Sequence, residues 1–395
     1  MVQSNKYTLP LFDYPLWWVV SSYDLYLYTN DAGYVTKYYS VLINVLDKYY
    51  SGVTSAGSGL LNKPSGYGDY AFLPRSGIVT YYNALYVHAL NGASFIASNL
   101  NKTDDATRWS KRAQLVSEAI NTHMWDPVAG AYIDSLNSSS ISHPQDGNSL
   151  AILSGAADSN RAASALSYLA AHNARPYGNA FYDVDPPSGG DFSKRVYAFM
   201  SYFELAARFK SQEAGSALEE IGRLYGWMAS HDPGVTMWEG IGPDGSLYEG
   251  GFTSAAHGWS TGIVPLMVNS ILGVQPIAPG LAKWKVRPQL AGLKWARGQV
   301  PVHGGGKILV SWSVGGAGPQ SDVRIGAPAF SVDIEAPAGT SGTIEVPMKG
   351  ISSTVSVNGV TAWDGKQGIM YSAAYRDGYL SINVDGGNLN VTVVD

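Results

Sequence analysis

The sequence contains no cysteine, which excludes a disulfide framework, a thiolate zinc site and a cysteine nucleophile. Charge is also scarce. Asp, Glu, Lys and Arg make up 14% of the 395 residues, with 26 basic against 31 acidic side chains and a formal net charge of -5. No basic block occurs, so the composition does not support nucleic acid as a partner. The mild acidic excess implies only solubility. No apolar run is long enough to span a bilayer, and no membrane partner is expected. The opening Met-Val-Gln-Ser-Asn-Lys lacks the basic start and apolar stretch of a secretory leader. Also missing are a Gly-x-Ser-x-Gly elbow, a His-Glu-x-x-His helix, a Walker loop and a dinucleotide fingerprint. The seven histidines are not grouped with carboxylates, so neither a metal nor a cofactor is expected.

What is present in quantity is apolar and aromatic material. Hydrophobic residues make up 45% of the chain, enough for the core of one large or two medium domains. There are 26 Tyr and 11 Trp against 10 Phe. Tyr and Trp offer a flat apolar face with a polar edge, which suits sugar rings and protein partners as well as a protein core. Asn101, Asn137 and Asn390 begin Asn-x-Ser/Thr sequons, a weak pointer to an extracellular parent protein.

The first two thirds of the chain carry helical periodicity. Apolar spacing predicts helices over 16–28, 32–50, 78–100, 106–124, 147–155, 159–171, 194–209, 214–229 and 254–272. Thr29-Asn30-Asp31 breaks the first pair, and Asn101 to Asp105 supplies capping residues for the fourth. Roughly nine helices joined by alternating short and long loops suggest a closed ring of hairpins, with the site on the long-loop rim. The long loops are 51–76, 125–146, 177–193 and 231–253. From about Gly273 the pattern changes to short period-2 segments: 307–314, 330–335, 342–346, 352–357, 379–384 and 388–394. Turns such as Asn358-Gly359, Asp364-Gly365 and Asp377-Gly378 separate them. This predicts an antiparallel β-sandwich. The reading is therefore mainly α, with a helical domain over 1–274 and a β-sandwich over 275–395.

Thr236-Met237-Trp238-Glu239 followed by His257-Gly-Trp-Ser-Thr-Gly262 resembles the α-L-rhamnosidases of glycoside hydrolase family 78. The resemblance continues through Leu272-Gly-Val-Gln-Pro276, Trp284-x-Val-Arg-Pro288 and Leu293-x-Trp295 to Val300-Pro301. Upstream, Leu16-Trp17-Trp18 with Asp24 to Thr29, Gly68-Asp69-Tyr70 and Tyr81 to Tyr86 are similar to the same family. It implies an (α/α)6 six-hairpin toroid, an inverting mechanism on terminal α-L-rhamnosyl units and no metal chemistry. About twelve helices complete such a toroid, so this one reads as incomplete. The family's general acid lies in an Arg-Asp-Arg…Trp-x-Gly-Asp stretch before the Leu-Trp-Trp helix. No equivalent occurs here, so the chain reads as N-terminally truncated, and its open edge as a place for self-association or a closing partner.

Inverting hydrolysis needs one carboxylic acid to protonate the leaving oxygen and one carboxylate to activate water. Glu239 is the candidate base by its match to the family motif; otherwise it is a solvated loop acid. Asp69 and Tyr70 are candidates for sugar contact, with a turn or capping role as the alternative for Asp69. Trp238, His257 and Trp259 are candidates for the sugar subsite, with packing as the alternative. Trp17 and Trp18 point about 100° apart on a helix, so at most one faces a cavity. Asp13, Asp183, Asp185 and Asp191 are lesser candidates, the last three equally at home in turns. The expected partner is a carbohydrate or glycoside. A non-catalytic carbohydrate-binding remnant is the rival reading. A lyase or phosphorylase on the same scaffold is a third, disfavoured because no basic cluster stands ready for phosphate.

Overall fold

A computed structural model describes residues 10–187, 189–231, 234, 236–248 and 250–395. The first nine residues, read above as no leader, lie outside these. The helices are α1 (Tyr14–Thr29), α2 (Ala32–Lys37), α3 (Tyr39–Ile43), α4 (Thr80–Asn99), α5 (Thr103–His123), α6 (Gln145–Ser154), α7 (Ser159–His172), α8 (Ala198–Lys210), α9 (Ala214–Ser230) and α10 (Ile263–Leu266). Contacts place α6 between α4 and α8, and each of the three packs on the helix that follows it.

Sequence distinguishes the two kinds of helix. In α5 the buried positions are Ala106, Trp109, Ala113, Val116 and Ile120, one stripe at helical spacing, as expected for a helix with one side in water. In α4 nearly every position from Thr80 to Leu90 is buried, and α6 is buried from Gln145 through Ile152. Helices buried all round form the inner row, and α5, α7 and α9 cover them. Most polar residues of the inner row find hydrogen-bond partners, as burial requires. Asn148, for example, donates to the Tyr132 and Pro144 carbonyls at 2.9 Å each.

Three helix expectations change. The predicted 32–50 helix is broken at Tyr38, whose φ/ψ of -101°/10° interrupts it, and it ends as a π-helical stretch, Asn44–Tyr50. The helix expected from 194 begins at Ala198. Val196 and Tyr197 are drawn instead into a ladder, β5 (Val196–Tyr197) against β6 (Gly240–Ile241). The last helix begins at Gly258, not 254, and is irregular: a 3₁₀ turn Gly258–Gly262, the short α10, then a π stretch Met267–Leu272. Pro265 lies in that segment; it has no N–H to donate and its ring crowds the preceding turn.

The chain divides into two compact units. One comprises residues up to Asp24 with Ala32–Gly262; the other comprises Leu25–Asp31 with Ile263–Asp395. Four short strands in the helical loops, β1 (Trp125–Asp126), β2 (Ala131–Tyr132), β3 (Ala174–Arg175) and β4 (Gly178–Asn179), pair as two hairpins. The second unit carries one nine-stranded sheet: β7 (Val274–Pro276), β8 (Lys283–Val286), β9 (Trp295–Pro301), β10 (Lys307–Val314), β11 (Phe330–Pro347), β12 (Thr354–Val357), β13 (Val360–Trp363), β14 (Ala374–Arg376) and β15 (Tyr379–Val394). Its central path runs β13-β12-β15-β11-β10-β9.

In place of the expected antiparallel β-sandwich the strands form one mixed, mostly antiparallel sheet, because β8 pairs parallel to β11, Lys283 opposite Ser341. A parallel neighbour needs a long connection, and β9 and β10 lie within it. The expected pairs 330–335/342–346 and 379–384/388–394 are each a single long strand, with a register shift between Ala336 and Ser341. Glycine permits the close crossing there: a Cβ on Gly386 would lie 2.1 Å from the Pro337 carbonyl oxygen.

Candidate active site

The β5–β6 ladder decides where Glu239 sits. Tyr197, which precedes α8, pairs with Gly240, so Glu239 is held beside the start of an inner helix. Its backbone N–H donates to the Ser254 carbonyl, and the Ser254 N–H donates back to Glu239 Oε2, both at 2.9 Å. Tyr248 Oη approaches Oε1 at 3.5 Å, and His257 Nδ1 stands 3.6 Å from Oε2. The carboxylate side chain remains 19% exposed, so it is fixed in place yet reachable by water. Gly240 allows this arrangement, since a Cβ there would meet the Tyr248 ring at 2.9 Å.

Trp259 links this carboxylate to an aromatic wall. Its indole N–H donates to the Glu239 carbonyl at 2.8 Å. Its ring stacks on Phe199 at 5.4 Å and lies 4.6 Å from His257. Phe199 in turn meets Trp17 at 5.7 Å and Tyr70 at 5.2 Å. Trp17, Tyr70, Phe199, Phe203 and Trp259 line a cavity of about 540 Å³, joined by Asp24 and His88, a size that suits a small ligand. Burial, then Lys210, pushes His88 down to about 4, so its ring is neutral at pH 7. Among the described residues, no lysine or arginine lines it. Glu239 is not itself on this wall; Trp259 is the residue shared by both.

Of the sequence candidates, Trp17, Tyr70, Trp259, His257 and Glu239 thus come together. Trp17 is the cavity-facing member of its pair, its indole N–H donating to Tyr81 Oη at 2.9 Å, whereas Trp18 turns to Tyr34 Oη at 3.2 Å. Trp238 is placed differently from the expectation. It is 2% exposed and packs with Val196, Leu224, Met228 and Ile241, because the residue before the exposed carboxylate must point the other way, into the core.

Asp69 is also interior, fully buried. Its Oδ1 accepts from the Ala71 and Leu73 N–H groups at 3.1 and 3.0 Å, and its Oδ2 accepts from Tyr82 Oη at 3.1 Å. That is the turn role, and it leaves no route to a sugar. Asp183 accepts from Tyr168 Oη at 2.8 Å and meets His143 Nδ1 at 2.8 Å. Asp185 accepts from the Ser193 N–H at 2.8 Å, and Asp191 pairs with Lys194 at 3.3 Å. All three shape loops.

A buried charge cluster behind the cavity escaped the sequence reading. Arg75 donates to both oxygens of Asp146, at 2.6 and 2.9 Å. It lies 3.0 Å from Asp134 and 3.7 Å from Asp69, with its side chain 1% exposed. Burial pushes Asp134 up to about 6 and raises Asp69, while Arg75 lowers both. Nothing in the loop sequence distinguishes Arg75 from a surface arginine.

Asp13 completes the group. Its Oδ2 accepts from Tyr81 Oη at 2.8 Å and the Tyr70 N–H at 3.1 Å, while its buried Oδ1 has no hydrogen-bond partner. Burial and then Asp69 push its carboxyl up to about 7 from 3.8. The folded chain therefore holds a proton on Asp13 that the unfolded chain releases above about pH 4. The associated stability is complete below pH 4 and is lost as pH rises through 7. We expect Asp13→Asn, which cannot ionise, to gain stability relative to the parent as pH rises from 4 to 8 and to gain nothing at pH 4 or below. Thermal melts across that range check this. A parent curve equally pH-dependent after the substitution rejects it.

Residues 6–179 match the family model of the bacterial α-L-rhamnosidase six-hairpin glycosidase domain. Among solved structures, the family 78 rhamnosidase of Bacillus sp. GL1 is 26% identical with a TM-score of 0.59, over 76% of this chain and 31% of that one. The α-L-rhamnosidase of Dictyoglumus thermophilum shares the fold with a TM-score of 0.68 at 17% identity, over 94% of this chain and 38% of that one. The Streptomyces avermitilis α-L-rhamnosidase, solved with L-rhamnose, has a TM-score of 0.65 at 17% identity, over 94% of this chain and 32% of that one. The chain with the six-hairpin domain thus spans about a third of the length of these rhamnosidases. The N,N'-diacetylchitobiose phosphorylase of Vibrio proteolyticus is 33% identical over 126 residues, 29% of this chain and 16% of that enzyme.

Proposed function

We propose that the protein is an inverting glycoside hydrolase acting on terminal α-L-rhamnosyl or similar deoxy-sugar units, with Glu239 as the base, on a scaffold of the (α/α)6 kind. One observation carries this reading. Glu239 is a half-shielded carboxylate, fixed by the Ser254 N–H and joined through Trp259 to an aromatic cavity without lysine or arginine. Such a wall suits the apolar face of a neutral deoxy-sugar. Glu239 takes a proton from water as the water oxygen attacks the anomeric carbon. The glycosidic C–O bond breaks, and the leaving oxygen is protonated by a second carboxylic acid. The absence of lysine and arginine from the wall also favours water over phosphate as nucleophile, notwithstanding the phosphorylase relative.

The test is a panel of aryl glycosides, the α-L-rhamnoside included, offered to this chain and to a chain extended upstream, with NMR of the first-formed sugar. Free rhamnose of inverted configuration is expected. Sugar binding without release in either chain would replace hydrolysis by simple binding. A sugar phosphate formed on adding inorganic phosphate would replace it by phosphorolysis.

A further inference from the structure

The outer face of the sheet holds a second concave site, unrelated to Glu239. Its geometry follows from strand register. Across β9, β10, β11 and β15 the pairing sets Gln299, Leu309, Glu335 and Asn388 in one row. Two residues along, it sets Arg297, Ser311, Asp333 and Asn390 in the next. Residues two apart on a strand share a face, and the intervening Ile308, Val310, Trp312, Val332, Ile334 and Val391 are buried. The polar rows therefore face outward. They lie about 4.8 Å apart between strands and about 7 Å apart along them, a grid on the scale of a sugar ring. Asn358, from the β12–β13 turn, closes one side: its Oδ1 accepts from the Asn390 N–H at 2.8 Å, and its Nδ2 donates to the Asn388 carbonyl at 3.2 Å.

A polar outer face is ordinary for an antiparallel sheet, and polarity alone would carry nothing. Several features separate this one. The rows line a concavity of about 630 Å³, within the range of ligand sites. The polar groups are the carboxamides and carboxylates of Gln299, Glu335, Asn388, Asp333 and Asn390 with Arg297 and Ser311, donors and acceptors that match neighbouring hydroxyls, and Asn390 Nδ2 already donates to Asp333 Oδ1 at 2.7 Å. Leu309, in the row with Gln299 and Glu335, supplies an apolar patch. Trp295, 39% exposed, stands two residues from Arg297 on the same face and offers a ring for stacking. The rows carry two carboxylates against one guanidinium, which disfavours a polyanion.

We infer that this face binds a neutral polysaccharide chain through the amide and carboxylate grid, with Trp295 as a stacking platform. The site holds substrate polymer without cleaving it. It shares with the hydrolase reading only the premise that the protein handles glycans.

Affinity electrophoresis of the full chain through native gels containing galactomannan, arabinan or polygalacturonate tests it. At least one neutral polymer should retard the chain. The double substitution Asp333→Ala/Asn390→Ala should weaken the apparent affinity about tenfold or more, as expected for losing two polar contacts, and Trp295→Ala should weaken it independently. Circular dichroism establishes that each variant is folded. Three outcomes overturn the inference: no retardation by either neutral polymer, retardation by polygalacturonate alone, or retardation untouched by both sheet variants.

Discussion

Arg75→Met is expected to destabilise the protein by about 3–5 kcal/mol, the usual cost of removing one partner from a buried charge cluster. Against a typical total of roughly 5–15 kcal/mol, much of the chain would be unfolded at physiological temperature. The reason is the company Arg75 keeps. Its guanidinium is the buried cation among Asp69, Asp134 and Asp146, and burial already pushes Asp134 up to about 6. Without Arg75 these carboxyls must be protonated or leave the interior. The loss should therefore shrink as pH falls towards 4–5, where protonation is cheap. Arg75→Lys keeps a charge but not the two-pronged contact with Asp146, and should fall between parent and Arg75→Met. Urea unfolding at pH 5 and pH 8 measures all three. Parent-like stability of Arg75→Met at pH 8 would remove the cluster from its structural role.

Glu239→Gln is expected to lower glycoside hydrolysis by roughly 10²–10⁴-fold, the range for loss of a general base. An amide of nearly the same shape can still accept the Ser254 N–H at the position now held by Oε2, so the loop should keep its conformation. What it cannot do is take a proton from water. The melting temperature and the affinity for the sugar product should accordingly stay near those of the parent, with the loss confined to turnover. Unchanged turnover would displace Glu239 from the role of base. A concurrent collapse in melting temperature would show that its contacts are structural instead.

How far each feature could be read in advance follows from its physics. Helices with one wet face, such as α5 and α7, declare themselves through spacing, and expected and observed bounds differ by a few residues. Strand β10 matches its expected range because alternation and flanking turns are local signals. The misread elements are those where a distant segment wins. Val196–Tyr197 leaves a helical pattern to pair with Gly240–Ile241. Strands β8 and β9, absent from the expected list, acquire their meaning only beside β11 and β10.

The candidate site divides along the same line. Glu239, Trp259 and His257 were singled out because they lie in one short motif, whereas the Trp17-Trp18 pair signalled a single cavity-facing ring without saying which, and only the fold turns Trp17 to the cavity. Asp69 and Trp238 share that motif-level signal, yet Asp69 is bound by the Ala71 and Leu73 N–H groups and Trp238 packs into the core. Arg75, Asp134 and Asp146 gave no local sign at all.

The linear chain alone dictated the helical and strand periods, the absence of thiol chemistry and the kinship with six-hairpin glycosidases, since these depend on neighbours a few residues apart. Tertiary packing alone decided which carboxylates stay at the surface and which are sealed around Arg75, and it alone aligned the polar rows of the sheet. Desolvation and strand register act between residues far apart in sequence, and a linear pattern carries no distance.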